Sequence, residues 1–153
     1  MPQNHIDPTI AQAPLPETIE EFTSQHRYHC LNVASFILFA DNPKANTLIT
    51  YIYRDAANYK QVAELILPGA ITPAQLATIY RHLDEDDGFV PGQVGLEDLQ
   101  LRFNDDWDDE SDHPFHEFVR IELTLEERSL TVLTPADLAN SFDGVSWDQA
   151  YRP

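Results

Sequence analysis

The segment Asp112-His113-Pro114-Phe115-His116-Glu117 sets two imidazoles between two carboxylates. Asp112, His113, His116 and Glu117 form a donor set suited to a divalent transition metal, and a metal-bound water held there could carry out hydrolysis. The spacing is H-x-x-H-E, not the H-E-x-x-H that stacks two histidines on one helical face, and Pro114 marks a loop or strand entry. The local reading is that Asp112 and His113 close a loop and that His116 is an ordinary polar residue leading into a strand. On that reading no cofactor is required.

Just upstream, Asp105, Asp106, Asp108, Asp109, Glu110 and Asp112 surround Trp107. A second acidic cluster, Asp84, Glu85, Asp86 and Asp87, precedes Phe89, and between residues 82 and 118 only Arg102 opposes the two. Like charges at such density repel, so these loops are either well hydrated or meet a counterion, a metal or a basic partner. Asp106, Asp108, Glu110, Asp112 and Glu117 fall at ligand positions of the EF-hand pattern, but Ser111 stands where its sharp turn requires glycine. Loose, weak calcium association is what remains of that motif. Phe89 and Trp107, each beside acids, are either tucked back onto the core or exposed as aromatic anchors of a protein interface, and both are counted with the acidic loops as the interaction surface.

A third grouping lies at Tyr53, Arg54, Asn58, Tyr59 and Lys60. Arg54 and Lys60 would give one end of a hairpin the local positive charge that the rest of the chain lacks, a seat for a carboxylate or phosphate. Cys30 lies in an apolar run, where a thiol serves as packing.

These groups need elements to hold them. Leu48–Asp55 and Asn58–Gly69 are β-rich runs joined through Asp55-Ala56-Ala57-Asn58 and read as a hairpin. Thr72, Pro73 and Gln75 have the residue types of a capping box, with Leu76, Ile79, Tyr80 and Leu83 on one helical stripe. Thr134, Pro135 and Asp137 repeat that logic ahead of Leu138 and Phe142, through shared capping chemistry rather than duplication. Leu96, Leu99 and Phe103 predict a further short helix. Val119, Ile121, Leu123 and Leu125 alternate with Arg120, Glu122 and Thr124, the pattern of a half-exposed strand, for which 129–133 is the expected hairpin partner. The apolar run 30–40 fits a helix or a buried strand equally.

The resulting expectation is an α+β fold: a small, mainly antiparallel sheet covered on one side by three short helices at 73–83, 96–103 and 135–142, with an N-terminal extension. Residues 1–16, with Pro2, Pro8, Pro14 and Pro16, read as a flexible arm, 17–47 as the extension, with a helix from Glu17, and 48–153 as the α+β domain. A chain of 153 residues with 42% apolar content can build one such core. Its 26 acids against 9 Lys and Arg give a net charge of -17, which disfavours direct contact with nucleic acid or an anionic membrane. No secretory leader is evident, no run approaches the length of a membrane span, and a lone cysteine asks for no oxidising compartment, so the cytoplasm is the expected location.

The order of Tyr53–Lys60, then Gly88–Gln100, then Asp112–Glu117 resembles that of a group of small bacterial and mobile-element proteins with no assigned activity, over residues 48–150. The resemblance implies that these three stretches, Gln93 included, gather around one surface. Taken together, the residues point to a non-enzymatic acidic module that binds a basic protein. Its sharper form is an inhibitor or immunity-type protein whose acidic loops imitate a polyanion towards a nucleic-acid-handling partner. A metal-assisted hydrolase centred on His113 and His116, with the hairpin cluster holding an anionic substrate, is the competing class. An assembly subunit that docks through its arm is the third.

Overall fold

The computed structural model describes residues 30–153. The arm expected at 1–16 and the helix expected from Glu17 lie outside them. The hairpin forms as expected: β1 (Asn46–Arg54) and β2 (Lys60–Leu67) pair antiparallel, from Thr47 opposite Leu67 to Arg54 opposite Lys60. Ile49, Tyr51 and Tyr53 point to one face with Leu65 and Ala63, while Thr50, Ile52, Val62 and Glu64 take the other. The turn closes because the Asp55 carboxylate accepts the Tyr59 N–H at 2.9 Å and Asn58 adopts a φ of 71°, a left-handed conformation that asparagine tolerates.

The next strand, β4 (His116–Thr124), pairs antiparallel with the free side of β1, and β3 (Gly88–Phe89) adds to β4, giving the order β2-β1-β4-β3. Residues 129–133 do not form the expected partner of β4. Instead the Ser129 N–H donates to Ile66 O, and the Ser129 Oγ accepts from the Ile66 N–H, closing part of the exposed edge of β2. β1 wins because it sets Ile49 against Ile121 on the buried face and bonds along most of β4, whereas Leu130 and Val132 stay fully exposed.

The alternation read in β4 is also broken. Thr50 pairs with Arg120 but Tyr51 pairs with Phe118, so Val119 is an extra residue, and a β-bulge shifts the phase of everything before it. Ile121 and Leu123 face the core as expected. Below the bulge, however, Phe118 and His116 face inward, and Val119 is 48% exposed. Phe118 then stacks on Phe89 at 4.3 Å, and the sheet curls around this aromatic cluster.

The apolar run 30–40 divides between the two readings. Leu31 makes a parallel bridge to Ile121, and α1 (Val33–Phe39) follows, its Ser35 Oγ accepting the Leu123 N–H. Cys30, Leu31 and Phe36 belong to the same core cluster as the sheet, so the part of the extension that is described packs as one body with the rest. Helices α2 (Pro73–His82) and α3 (Pro135–Phe142) both carry the reciprocal capping boxes, Thr72 with Gln75 and Thr134 with Asp137, and pack on one another. α2 follows the β1–β2 pair and α3 follows the β3–β4 pair, in which β3 contributes only Gly88 and Phe89.

The helix expected over 96–103 reduces to a 3-10 turn at Leu99–Arg102. The reason lies in its first donors: the Leu99 N–H is taken by the His116 ring, and Asp98 is held by the Gly92 N–H and the Tyr151 hydroxyl. Backbone and side chains tied in this way cannot wind an α-helical first turn. Arg102 fixes the turn to the sheet by forking onto Glu97, at 2.8 and 2.9 Å, and donating to Val62 O. No helix among the described residues is long and apolar enough to cross a membrane.

The bulge can be checked directly. Val119→Lys should shift stability by less than about 0.5 kcal/mol, whereas Phe118→Ala should cost on the order of 2–3 kcal/mol, both read from urea unfolding midpoints. A large loss from Val119→Lys would restore the unbroken alternation.

Candidate functional site

Tyr53 ends the inward face of β1 fully buried, and its hydroxyl is placed to donate to Asp112 Oδ1 at 2.5 Å. Burial, then the Asp112 carboxylate, pushes the Tyr53 pKa above its ordinary value, so the hydroxyl stays a donor. Beside it the Ala56 N–H donates to Ser111 O at 2.9 Å, and His113 Nε2 lies 2.7 Å from Arg54 O. The second acidic loop is thereby docked on the hairpin end. Within the loop, Asp108 accepts the Glu110 N–H and Asp112 accepts the Asp108 N–H, so two of its acids serve as turn formers.

His116 is not the ordinary strand-entry residue expected. It is 1% exposed and tilted against Tyr51, Tyr53 and Phe89. The Leu99 N–H donates to its Nε2 at 3.0 Å, and Nδ1 lies 3.1 Å from Pro114 O, which requires a neutral ring protonated on Nδ1. Burial above all lowers its pKa from 6.5 to about 4. His113 is the opposite tautomer, accepting the Phe115 N–H at Nδ1 and donating from Nε2 to Arg54 O. Both imidazoles therefore have both nitrogens engaged, and Glu117 points from the outer face of the strand. Among the described residues no group of three or more His, Cys, Asp or Glu is placed to hold a metal ion, so the ligand set read from the sequence is not assembled.

The anion seat is likewise not assembled. Arg54 Nη1 donates to Asn58 Oδ1 at 2.7 Å, Lys60 faces solvent opposite Arg54, and Tyr53 is enclosed. Gln93 uses both ends of its amide on Ser146 O and the Asp148 N–H. Of that group only Tyr59 joins the cleft described next. The glycines near Gln93 have their own structural reason: a Cβ on Gly92 would run into Tyr151 Oη and Asp98 Oδ2, and Gly95 has a φ of 84°.

The two acidic loops part company as well. Asp84 caps its own turn through the Asp86 and Gly88 N–H groups, and Asp87 takes a φ of 60°, so the 84–87 cluster is the tight entry to β3 at the sheet edge. Phe89 is 0% exposed in the aromatic core and cannot serve as the interface anchor expected of it. The 105–112 loop, at the hairpin end, instead walls a cleft of about 840 Å³. Its lining combines Asp55, Asp105, Asp106, Asp108 and Asp112 with Tyr59, Phe103 and Trp107, and includes no lysine or arginine.

Two further features border this cleft. Trp107 donates its indole N–H to Asp109 Oδ1 at 2.9 Å, the Arg152 guanidinium pairs with the same carboxylate, and its Cζ lies 5.4 Å from the Trp107 ring centroid. Exposed pairs of this kind contribute no more than about 1 kcal/mol. Gln100, buried among the lining residues, donates from Nε2 to His113 O, while its Oε1 has no hydrogen-bond partner among the described residues. Asp55 and Gln100 enter the expectations only as members of the Tyr53–Lys60 and Gly88–Gln100 stretches, Phe103 as a helical-stripe residue, and Arg152-Pro153 not at all. Gln100 looked like a polar position on a helix that does not form, and nothing local could show that the segment 151–153 returns to this loop.

No family model matches the chain, and no curated protein or solved structure matches it.

The His116 geometry fixes a pH response. The unfolded chain takes up a proton near 6.5 and the folded ring only near 4, so stability is complete above 6.5 and falls as the pH drops across that window. The loss should reach on the order of 3 kcal/mol at pH 4 relative to His116→Gln. Urea unfolding of both proteins between those limits measures it; parallel profiles would show that the ring is not held neutral.

Proposed function

We propose that the protein is a non-enzymatic binding module that receives a basic protein partner in the cleft at its hairpin end. The observation that carries this reading is the composition of that cleft: five aspartates and three aromatics line it with no cation among them. Carboxylates converging on a low-dielectric concavity focus negative potential, which draws cationic side chains in and speeds their encounter. The aromatic faces of Tyr59, Phe103 and Trp107 offer the same side chains a flat contact. A phosphate-bearing ligand would meet repulsion from the five aspartates.

The sharper form of the proposal is an inhibitor that occupies a groove built for a polyanion. Asp105 and Asp106 support it, as exposed carboxylates on a loop whose fold is secured by other residues. The 84–87 cluster belongs to a different edge and supplies long-range field rather than contact. Screening over roughly 8 Å at physiological salt confines strong effects to the cleft and its rim.

A deca-lysine peptide tests this reading by calorimetry. Asp105→Asn combined with Asp106→Asn should weaken binding about tenfold at low salt, while Glu126→Gln with Glu127→Gln, an equal charge change elsewhere on the surface, should leave it within about twofold. Equal losses from both pairs would reduce the effect to net charge and remove the cleft from the function.

A further inference from the structure

Resting on that reading, we infer that the Trp107–Asp109 wall of the cleft is a guanidinium seat, which Arg152 of the same chain occupies in the free protein and an arginine-bearing segment of the partner takes over. Asp109 Oδ1 receives the Trp107 indole N–H and the Arg152 guanidinium together, so the carboxylate is held at the ring edge. A planar cation lying over that ring meets a π-face and an acceptor at once. An ammonium has no plane to lay on the indole and is more strongly hydrated, so the arrangement discriminates between arginine and lysine.

The internal occupant is lightly held. Arg152 and Asp109 keep 55% and 76% of their side chains exposed, and the firm anchor of this segment lies one residue earlier, where Tyr151 donates to Asp98 at 2.9 Å. Arg152 can therefore swing away without releasing Tyr151. Inside the cleft, Gln100 is 7% exposed and its Oε1 lacks a donor. A buried amide oxygen favours a donor, from protein or from water. None of the cleft's aspartates can satisfy it when ionised, since a carboxylate is an acceptor. A segment that replaces Arg152 on Trp107 and continues inward passes along a lining that includes Gln100. The acidic cluster alone would not specify a ligand; the guanidinium already seated on Trp107 and Asp109 does.

Hexa-arginine and hexa-lysine peptides, titrated calorimetrically into the full chain at one ionic strength, test the inference. Hexa-arginine should bind about tenfold more tightly than hexa-lysine, Arg152→Ala should strengthen hexa-arginine binding about fivefold, and Trp107→Ala should abolish the preference. Equal affinities for the two peptides would overturn the guanidinium seat while leaving the basic-partner reading standing. Weaker binding by Arg152→Ala would also overturn it, making Arg152 scaffold rather than stand-in. Failure of both peptides to bind would overturn the seat and that reading alike.

Discussion

The buried end of β1 imposes the constraint on which the rest of this molecule depends. Tyr53 brings a hydroxyl to the bottom of an aromatic core, where an unpaired polar group is costly, and the group available to receive it is Asp112. That pairing draws the following residues onto the hairpin. His113 reaches Arg54 O, His116 turns inward to receive Leu99, and the Leu99–Arg102 turn is held against β2 through Arg102. A long acidic loop and a short irregular turn thus become walls of one cleft because buried polar groups had to be satisfied.

The histidines show how one residue type serves opposite ends of this scheme. His116 is neutral because burial leaves no room for charge and because its Nε2 must accept. His113 uses the other tautomer, accepting from Phe115 and donating to the hairpin backbone. A pair that reads in sequence as metal ligands is occupied with backbone N–H and C=O groups that would otherwise be unpaired. Recruiting either ring to a metal would orphan at least one of those groups, at roughly 1–3 kcal/mol each.

The parts legible in the sequence were those decided by local chemistry. The capping boxes at Thr72 and Thr134, the hairpin and the α+β class follow from residue types at short spacing, and all appear in the structure. What escaped is non-local. Val119 reads as a core position because alternation assumes an unbroken ladder, and a bulge opposite Thr50 and Tyr51 leaves no mark in a β-branched run. Phe89 and Trp107 look alike beside their acids, yet one stacks on Phe118 and the other stays at the surface, a distinction made by strand pairing. The cleft draws on residues from Asp55 to Pro153, whose convergence no window of sequence contains.

The way the acidic loop is held bears on what it is for. A calcium loop gains its shape from the cation, and its carboxylates are consumed by it. Here most of the shape comes from neutral donors, the Tyr53 hydroxyl, the Ala56 amide, the loop's own amides on Asp108 and Asp112, and the Trp107 indole on Asp109, with the exposed Arg152 guanidinium added on Asp109. Arg102, the cation nearest in sequence, is committed to Glu97. The loop therefore keeps its fold while Asp105 and Asp106 keep their charge outward, and a change in ionic strength alters the field without dissolving the wall that carries it. Such an arrangement separates the stability of a negative surface from its neutralisation. The proposed reception of a cationic partner would draw on that separation.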